Sequence, residues 1–317
     1  METEIFFNGS GLRCAADLYL PDDLRAGAKR PGLVIGHGFS VVKEALVEHG
    51  RAFARAGFVT LAIDYRSFGR SEGEPRANLF PMNEAEDYRN ALSYLQSRPE
   101  VDPDRIGIWG TSFAGGLVMY VGAVDRRVKA VVSQVPVVDG YRWMKLLRSE
   151  DQFDELLAAL DEDRARRYRG EKSLRIPVCG RPGELCGLPS DQSVVDFFAG
   201  AKTLLQTWND TMTLESVERI LEWTPITFVE RIAPRPLLIV TTSGRDVVHP
   251  AWAVTEAYER AREPKRLDFL PFDQLGLYSE PGLSVSIRRA ADFFVEHLGE
   301  TDAEKIERES RRTNKRR

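Results

Sequence analysis

Short apolar runs alternate with amphipathic stretches along the chain. Residues 32–36, 58–63, 105–109, 130–135 and 236–241 are compact and rich in Val, Ile and Leu, the mark of strands buried on both faces. Residues 12–20 and 266–272 add two further strand candidates. Between them, residues 44–56, 83–96, 113–124, 251–262 and 286–298 carry apolar positions at helical spacing, with Asn83 as a candidate cap for the second. Strand–helix alternation of this kind predicts a doubly wound, mostly parallel α/β sheet of about eight strands.

The rhythm breaks between residues 137 and 232. Helical patterns cover residues 156–169, 194–208 and 214–223, with loop chemistry around residues 177–183 and no convincing buried strand. The expected organisation is an α/β core of residues 1–136 and 233–299, with a helical lid of residues 137–232 inserted in it. A second sheet within the insertion would contradict that lid. Residues 300–317 are almost wholly polar and end in a basic run, which reads as a solvated, frayed terminus.

Composition narrows the picture. Of 317 residues, 43% are hydrophobic and 29% charged, which excludes a disordered chain, a collagen-like repeat and a small disulfide scaffold. A formal net charge of −4 argues against a nucleic-acid partner. Neither a signal peptide nor a membrane span is evident, so no membrane partner and a cytoplasmic location are expected. Cys14, Cys179 and Cys186 then read as reduced thiols. No His/Cys/Asp cluster has ligand spacing, and the glycines do not form a dinucleotide fingerprint, so neither a metal nor another cofactor is expected.

The sharpest chemical signal is Gly110-Thr111-Ser112-Phe113-Ala114-Gly115-Gly116, where an apolar strand ends and a helix begins. A serine in such a turn exposes its hydroxyl above the helix N-terminus, and small flanking residues let the chain fold back on itself. Ala114 stands where a second glycine is usual.

Here the sequence resembles the α/β-hydrolase superfamily, from about residue 10 to residue 298. Gly36-His37-Gly38-Phe39 is similar to its oxyanion loop, which implies that the backbone N–H groups of Phe39 and Phe113 face a developing oxyanion. Asp64 and Arg66, in the turn after the next strand, are then structural braces. Within the superfamily the chain looks most like peptidase-like esterases and secondary-metabolite enzymes. Fungal polyketide transferases and bacterial polyketide or xenobiotic hydrolases share the Gly-Thr-Ser turn and the run 125–130. Asp246 matches the acid of a catalytic triad, with Asp139 as the fallback used in some relatives.

The base is the difficulty. The resemblance places a histidine in the loop after the last strand, and alignment on Leu277-Tyr278 puts Gln274 there. Glutamine cannot act as a general base near neutral pH. Of the four histidines, His37 belongs to the oxyanion loop, while His49 and His297 lie in the first and last helices, expected far from the site. His249, three residues past Asp246, reads first as a helix-start histidine and only second as a substitute base. Gln274 is thus a trapping substitution, the sign of altered chemistry such as a lyase or cyclase, or the mark of a ligand-binding pseudoenzyme.

The expected activity is hydrolysis or acyl transfer on an ester, lactone or thioester, with Ser112 as nucleophile and Asp246 as acid. Among the aromatic residues of the insertion, Trp143, Trp208 and Trp223 are the candidate substrate contacts. They point to an apolar, medium-sized, possibly polyketide-like small molecule. The insertion also offers a surface for a homodimer.

Overall fold

A computed structural model describes residues 1–299. The basic tail lies outside the described residues. The elements in chain order are β1 (Glu2–Gly9), β2 (Leu12–Tyr19), β3 (Arg30–Gly36), α1 (Val47–Arg55), β4 (Val59–Ile63), α2 (Pro81–Ser97), β5 (Val101–Thr111), α3 (Phe113–Val124) and β6 (Val128–Gln134). The insertion follows, with α4 (Gly140–Leu146), α5 (Glu150–Tyr168), β7 (Arg175–Pro177), β8 (Cys179–Gly180), β9 (Leu188–Pro189), α6 (Gln192–Leu204), β10 (Thr211–Thr213) and α7 (Leu214–Leu221). The chain closes with β11 (Leu237–Thr242), α8 (Ala251–Arg260), β12 (Lys265–Leu270) and α9 (Gly282–Leu298).

Eight strands form one sheet in the order β1-β2-β4-β3-β5-β6-β11-β12. β1 and β2 pair antiparallel, as do β2 and β4, while the rest of the sheet is parallel. Side chains alternate between its faces. Val34, Ile108, Val131 and Ile239 join the apolar cluster under α2, α3 and α8. Their neighbours Leu33, Trp109, Val132 and Leu238 join the one under α1 and α9. A parallel sheet covered in this way places its ligand crevice at the carboxyl ends of the strands.

Several local expectations are corrected. β1 carries only a brief apolar stretch, Ile5-Phe6-Phe7, at the sheet edge, and the sequence pattern did not reveal it. α2 starts at Pro81 rather than at a cap on Asn83; proline suits a first helical position because its missing N–H has no intrahelical role there. α5 starts at Glu150, six residues before the expected position, behind a capping box in which Ser149 and Gln152 satisfy each other's backbone N–H groups.

The insertion contains two small sheets besides its helices, which contradicts the helical lid expected from the sequence. β7 pairs antiparallel with β10, and β8 parallel with β9. Two or three residues per strand are too few to establish a period-2 pattern, so these ladders escaped the sequence reading.

Among the described residues no helix is long and apolar enough to cross a membrane. Cys14, Cys179 and Cys186 are free thiols.

Candidate active site

Ser112 sits between β5 and α3 at φ 57° and ψ −117°, a strained conformation for a side-chain-bearing residue. Glycines make the turn sterically possible. A Cβ on Gly110 would lie 2.6 Å from the Ala114 carbonyl carbon and one on Gly115 2.8 Å from Pro136 Cα. The turn is fixed by Ser112 N donating to Gln134 O at 2.8 Å, while Ser112 O accepts from Gly115 N and Val137 N at 2.9 and 3.0 Å.

The loop after β3 crosses directly above. A Cβ on Gly38 would lie 3.1 Å from Ser112 Cβ and 3.2 Å from Thr111 O, a contact that larger residues relieve only by shifting this backbone. The Phe39 and Phe113 rings pack edge to face at 6.3 Å. Among the described residues, no protein acceptor is paired with the backbone N–H of either Phe39 or Phe113. Below the loop, His37 packs on Tyr65 at 4.4 Å; its burial pushes its pKa down to about 4. Asp64 and Arg66 are braces. Asp64 accepts from Lys43 N and Arg70 N, and Arg66 pairs with buried Asp87.

His249, not Gln274, stands against Ser112. Its Nε2 lies 2.8 Å from Ser112 Oγ, and its Nδ1 lies 3.1 Å from Asp246 Oδ2. The loop between β11 and α8 builds this arrangement locally. Asp246 Oδ1 accepts the backbone N–H groups of Val248 at 3.0 Å and His249 at 2.7 Å, turning the chain so that the imidazole folds back over its own acid. Burial alone would raise the Asp246 pKa, but the neighbouring His249 and these hydrogen bonds outweigh it and hold the carboxyl below its usual range. Trp143 secures the loop from the insertion, donating Nε1–H to Val248 O at 2.8 Å.

Gln274 has a different place. Its Oε1 accepts from Val247 N at 2.9 Å and its backbone N donates to Arg245 O at 3.1 Å. It braces the turn that carries Asp246 and His249 from the loop after β12. The ground for reading the chain as lacking a base is therefore removed. Asp139 is not the acid either; its carboxylate caps α4 by accepting from Arg142 N.

A cavity of about 590 Å³ opens over Ser112 and His249. Phe39 and Trp143 line it near Ser112, and Val194, Phe197 and Leu204 of the insertion line it from above.

Residues 10–271 match the X-Pro dipeptidyl-peptidase family (S15 family). The chain belongs to this family. Among curated relatives of the S15-family chain, a protein named thiohydrolase aneE from Aspergillus aculeatus is 26% identical over 276 residues, covering 83% of each chain. A polyketide transferase, grgF, from Penicillium sp. is 27% identical over 247 residues, covering 77% of this chain and 81% of its own length. The crystal structure of the α/β hydrolase GrgF from Penicillium sp. superposes with a TM-score of 0.81 at 24% identity, over 95% of this chain and all of that one. The fold is that of the α/β hydrolases.

Of the three tryptophans expected against substrate, the S15-family chain brings only Trp143 to the cavity. Trp208 is directed into structure, its Nε1–H donating to Ser40 O at 2.6 Å and its ring packing on Phe198. Trp223 packs on Tyr120 over α3. Two cavity residues were missed. Tyr278 lies beside Ser112 in the cavity lining, its hydroxyl 3.0 Å from Thr111 Oγ1. His49, expected to be remote, lines the cavity from the first turn of α1.

Proposed function

We propose that this chain is a serine-type hydrolase, or a related acyl transferase, acting on a neutral and largely apolar ester, lactone or thioester. Ser112 is the nucleophile, His249 the general base and Asp246 the acid that orients it. The observation that carries this reading is the continuous Ser112–His249–Asp246 hydrogen-bonded line at 2.8 and 3.1 Å.

His249 Nε2 takes the Ser112 proton as Oγ bonds to the carbonyl carbon, and the carbonyl π pair moves onto oxygen. Asp246 accepts the Nδ1–H and stabilises the imidazolium. The Phe39 and Phe113 N–H groups stabilise that oxyanion, the latter from the positive end of α3. When the tetrahedral intermediate collapses, the bond to the leaving oxygen or sulfur breaks, and His249 returns the proton to it. Water, or an acceptor hydroxyl or amine in a transferase, then attacks the acyl-Ser112 ester with His249 again as base.

The cavity supports the substrate class. Its volume lies within the range of about 300–1,000 Å³ usual for small-molecule sites. Glu44, Glu48 and Asp196 are its charged lining residues, and among the described residues no Lys or Arg lines it. Free carboxylates and phosphates therefore meet repulsion there. Trp143 and Phe197, which the insertion brings to the cavity, contact the acyl chain. The relatives named thiohydrolase and polyketide transferase support a thioester or polyketide-like acyl group.

A fluorophosphonate probe and a panel of aryl esters and acyl thioesters test the reading. Covalent labelling at Ser112 and turnover are expected, and both are expected to vanish in Ser112→Ala. Turnover that survives Ser112→Ala would overturn it.

A further inference from the structure

The hydroxyl of Tyr278 ends a short line of donors that begins in the core. Buried Gln134 donates Nε2–H to Thr111 Oγ1 at 3.1 Å, and Thr111 Oγ1 lies 3.0 Å from Tyr278 Oη. Thr111 is itself buried and immediately precedes Ser112. Thr111, Ser112 and Tyr278 all line the cavity. Phe197 of the insertion packs on the Tyr278 ring, the two centroids 5.8 Å apart.

Counting protons fixes the direction of the line. An amide N–H only donates, so Thr111 Oγ1 accepts from Gln134 and has one proton of its own to place. Among the described residues, Tyr278 Oη is the acceptor within its reach. Were Tyr278 to donate instead, the Thr111 proton would be left buried without an acceptor, an arrangement that costs more than a hydrogen bond returns. Thr111 therefore donates to Tyr278, and Tyr278 keeps its own O–H to give elsewhere.

Ser112 stands next to receive it. Its hydroxyl is among the hydrogen-bonding groups that act on Tyr278. The Ser112 proton is directed to His249 Nε2 at 2.8 Å, which leaves the lone pairs of Oγ open. A phenol donates only while it is neutral. Burial outweighs the hydrogen bond from Thr111 and pushes the Tyr278 pKa up from its ordinary value, so the proton stays in place.

We propose that Tyr278 is a further catalytic residue, a neutral donor whose O–H supports Ser112 Oγ while that oxygen gives its proton to His249. The proposal rests on the reading of Ser112 as nucleophile. Negative charge builds on Oγ as its proton leaves and before its bond to the carbonyl carbon is complete, and a hydrogen bond to a charged oxygen is stronger than one to a neutral hydroxyl. Tyr278 loses no proton and forms no covalent bond. The same contact acts again in deacylation, when Oγ is the leaving atom and receives a proton from His249.

Two measurements test it. Tyr278→Phe keeps the ring and removes only the hydroxyl. For an aryl ester, kcat is expected to fall about tenfold with KM nearly unchanged, the worth of one hydrogen bond realised in the transition state. Phosphonylation of Ser112 by a fluorophosphonate is expected to slow by a similar factor. The loss is expected to be the same along a series of aryl esters of differing leaving-group pKa, because the hydroxyl acts on Oγ. An unchanged kcat, or a loss that grows as the leaving group becomes poorer, overturns the proposal. The second measurement needs no turnover. Urea midpoints are compared for Tyr278→Phe, Ser112→Ala and the double variant. Shifts that do not add are expected, since each single variant already breaks the contact, and additive shifts overturn it. If the unmodified chain neither reacts with the fluorophosphonate nor turns over an ester, the serine-hydrolase reading fails on its own, and the urea cycle still decides whether the Tyr278 hydroxyl reaches Ser112.

Discussion

Gln274 Oε1 accepts the Val247 N–H at 2.9 Å, joining the loop after β12 to the turn that carries Asp246 and His249. The bond leaves the peptide between Asp246 and His249 with little freedom. Gln274 is a positioning residue, because its side-chain bond goes to backbone and not to Ser112. Gln274→Ala should lower kcat by about tenfold, the worth of one such bond, and leave KM nearly unchanged. Gln274→His should bring no gain in esterase activity, since His249 already stands against Ser112. Steady-state kinetics on one aryl ester checks both, and a large gain from Gln274→His would show that the base is not where the geometry puts it.

His249→Ala should cost about three powers of ten or more in kcat, the usual effect of removing a triad base. Its effect should not add to that of Ser112→Ala, because the two residues act as one unit. A double variant measured against each single one tests this. Additive losses would mean that His249 works through something other than the Ser112 proton.

Much of the fold was legible because burial on both sheet faces writes itself into sequence as compact aliphatic runs. The run 32–36 and the run 236–241 each became a strand of the main sheet. The turn at Ser112 was legible for a steric reason, since Gly110 and Gly115 are dictated by backbone contacts within the turn itself. The base was not legible by the same route. Asp246 and His249 lie in one loop, and what joins them is a pair of backbone hydrogen bonds to the Asp246 carboxylate, which leaves no periodic trace. The spacing Asp-x-x-His before Pro250 was the available signal. The tryptophans failed for the converse reason. A large aromatic residue in a helical insertion serves packing as readily as binding, and Trp208 and Trp223 face structure.

Gly110→Ala should disrupt the turn. The added methyl would meet Ala114 backbone, 2.6 Å from its carbonyl carbon, and backbone cannot step aside as a side chain can. A loss of at least about 2 kcal/mol is expected, at the upper end of overpacking costs. Ala114→Gly, which removes volume at the same contact, should retain activity and lose only about 1 kcal/mol of helix stability. Urea denaturation of both variants decides the matter; equal stabilities would mean the turn is looser than the contact implies.

The acidic lining predicts a charge preference. An aryl ester ending in a free carboxylate should be turned over a few-fold to about tenfold less efficiently than its methyl-ester-capped counterpart, chiefly through half-buried Glu44, since Glu48 is exposed and ion-paired with Arg51. Glu44→Gln combined with Glu48→Gln should narrow the gap, and added salt should narrow it further for any part of the effect that is solvent-exposed. If the capped and free esters react alike in the unmodified chain, the carboxylates do not face the bound chain.

His49 also predicts how stability varies with pH. Its folded pKa of about 3 lies below the ~6.5 of an exposed histidine, and burial alone is the cause. As pH falls below ~6.5, the unfolded chain takes up a proton that the folded chain refuses. The stability associated with neutral His49 is therefore intact above ~6.5 and declines as pH drops from there toward 3. His37, held at about 4, adds a loss of the same sign over most of that range. Asp64, raised by burial to about 6, acts in the opposite sense, but it is common to both chains in the comparison. His49→Phe removes one histidine contribution only. Between pH 6 and pH 5 the variant should lose about 1 kcal/mol less than the unmodified chain, close to the limit of about 1.4 kcal/mol per pH unit for one proton. Urea unfolding at the two pH values provides the test. Parallel stability losses would mean that His49 is protonated in the folded chain, and so reached by water or by a carboxylate.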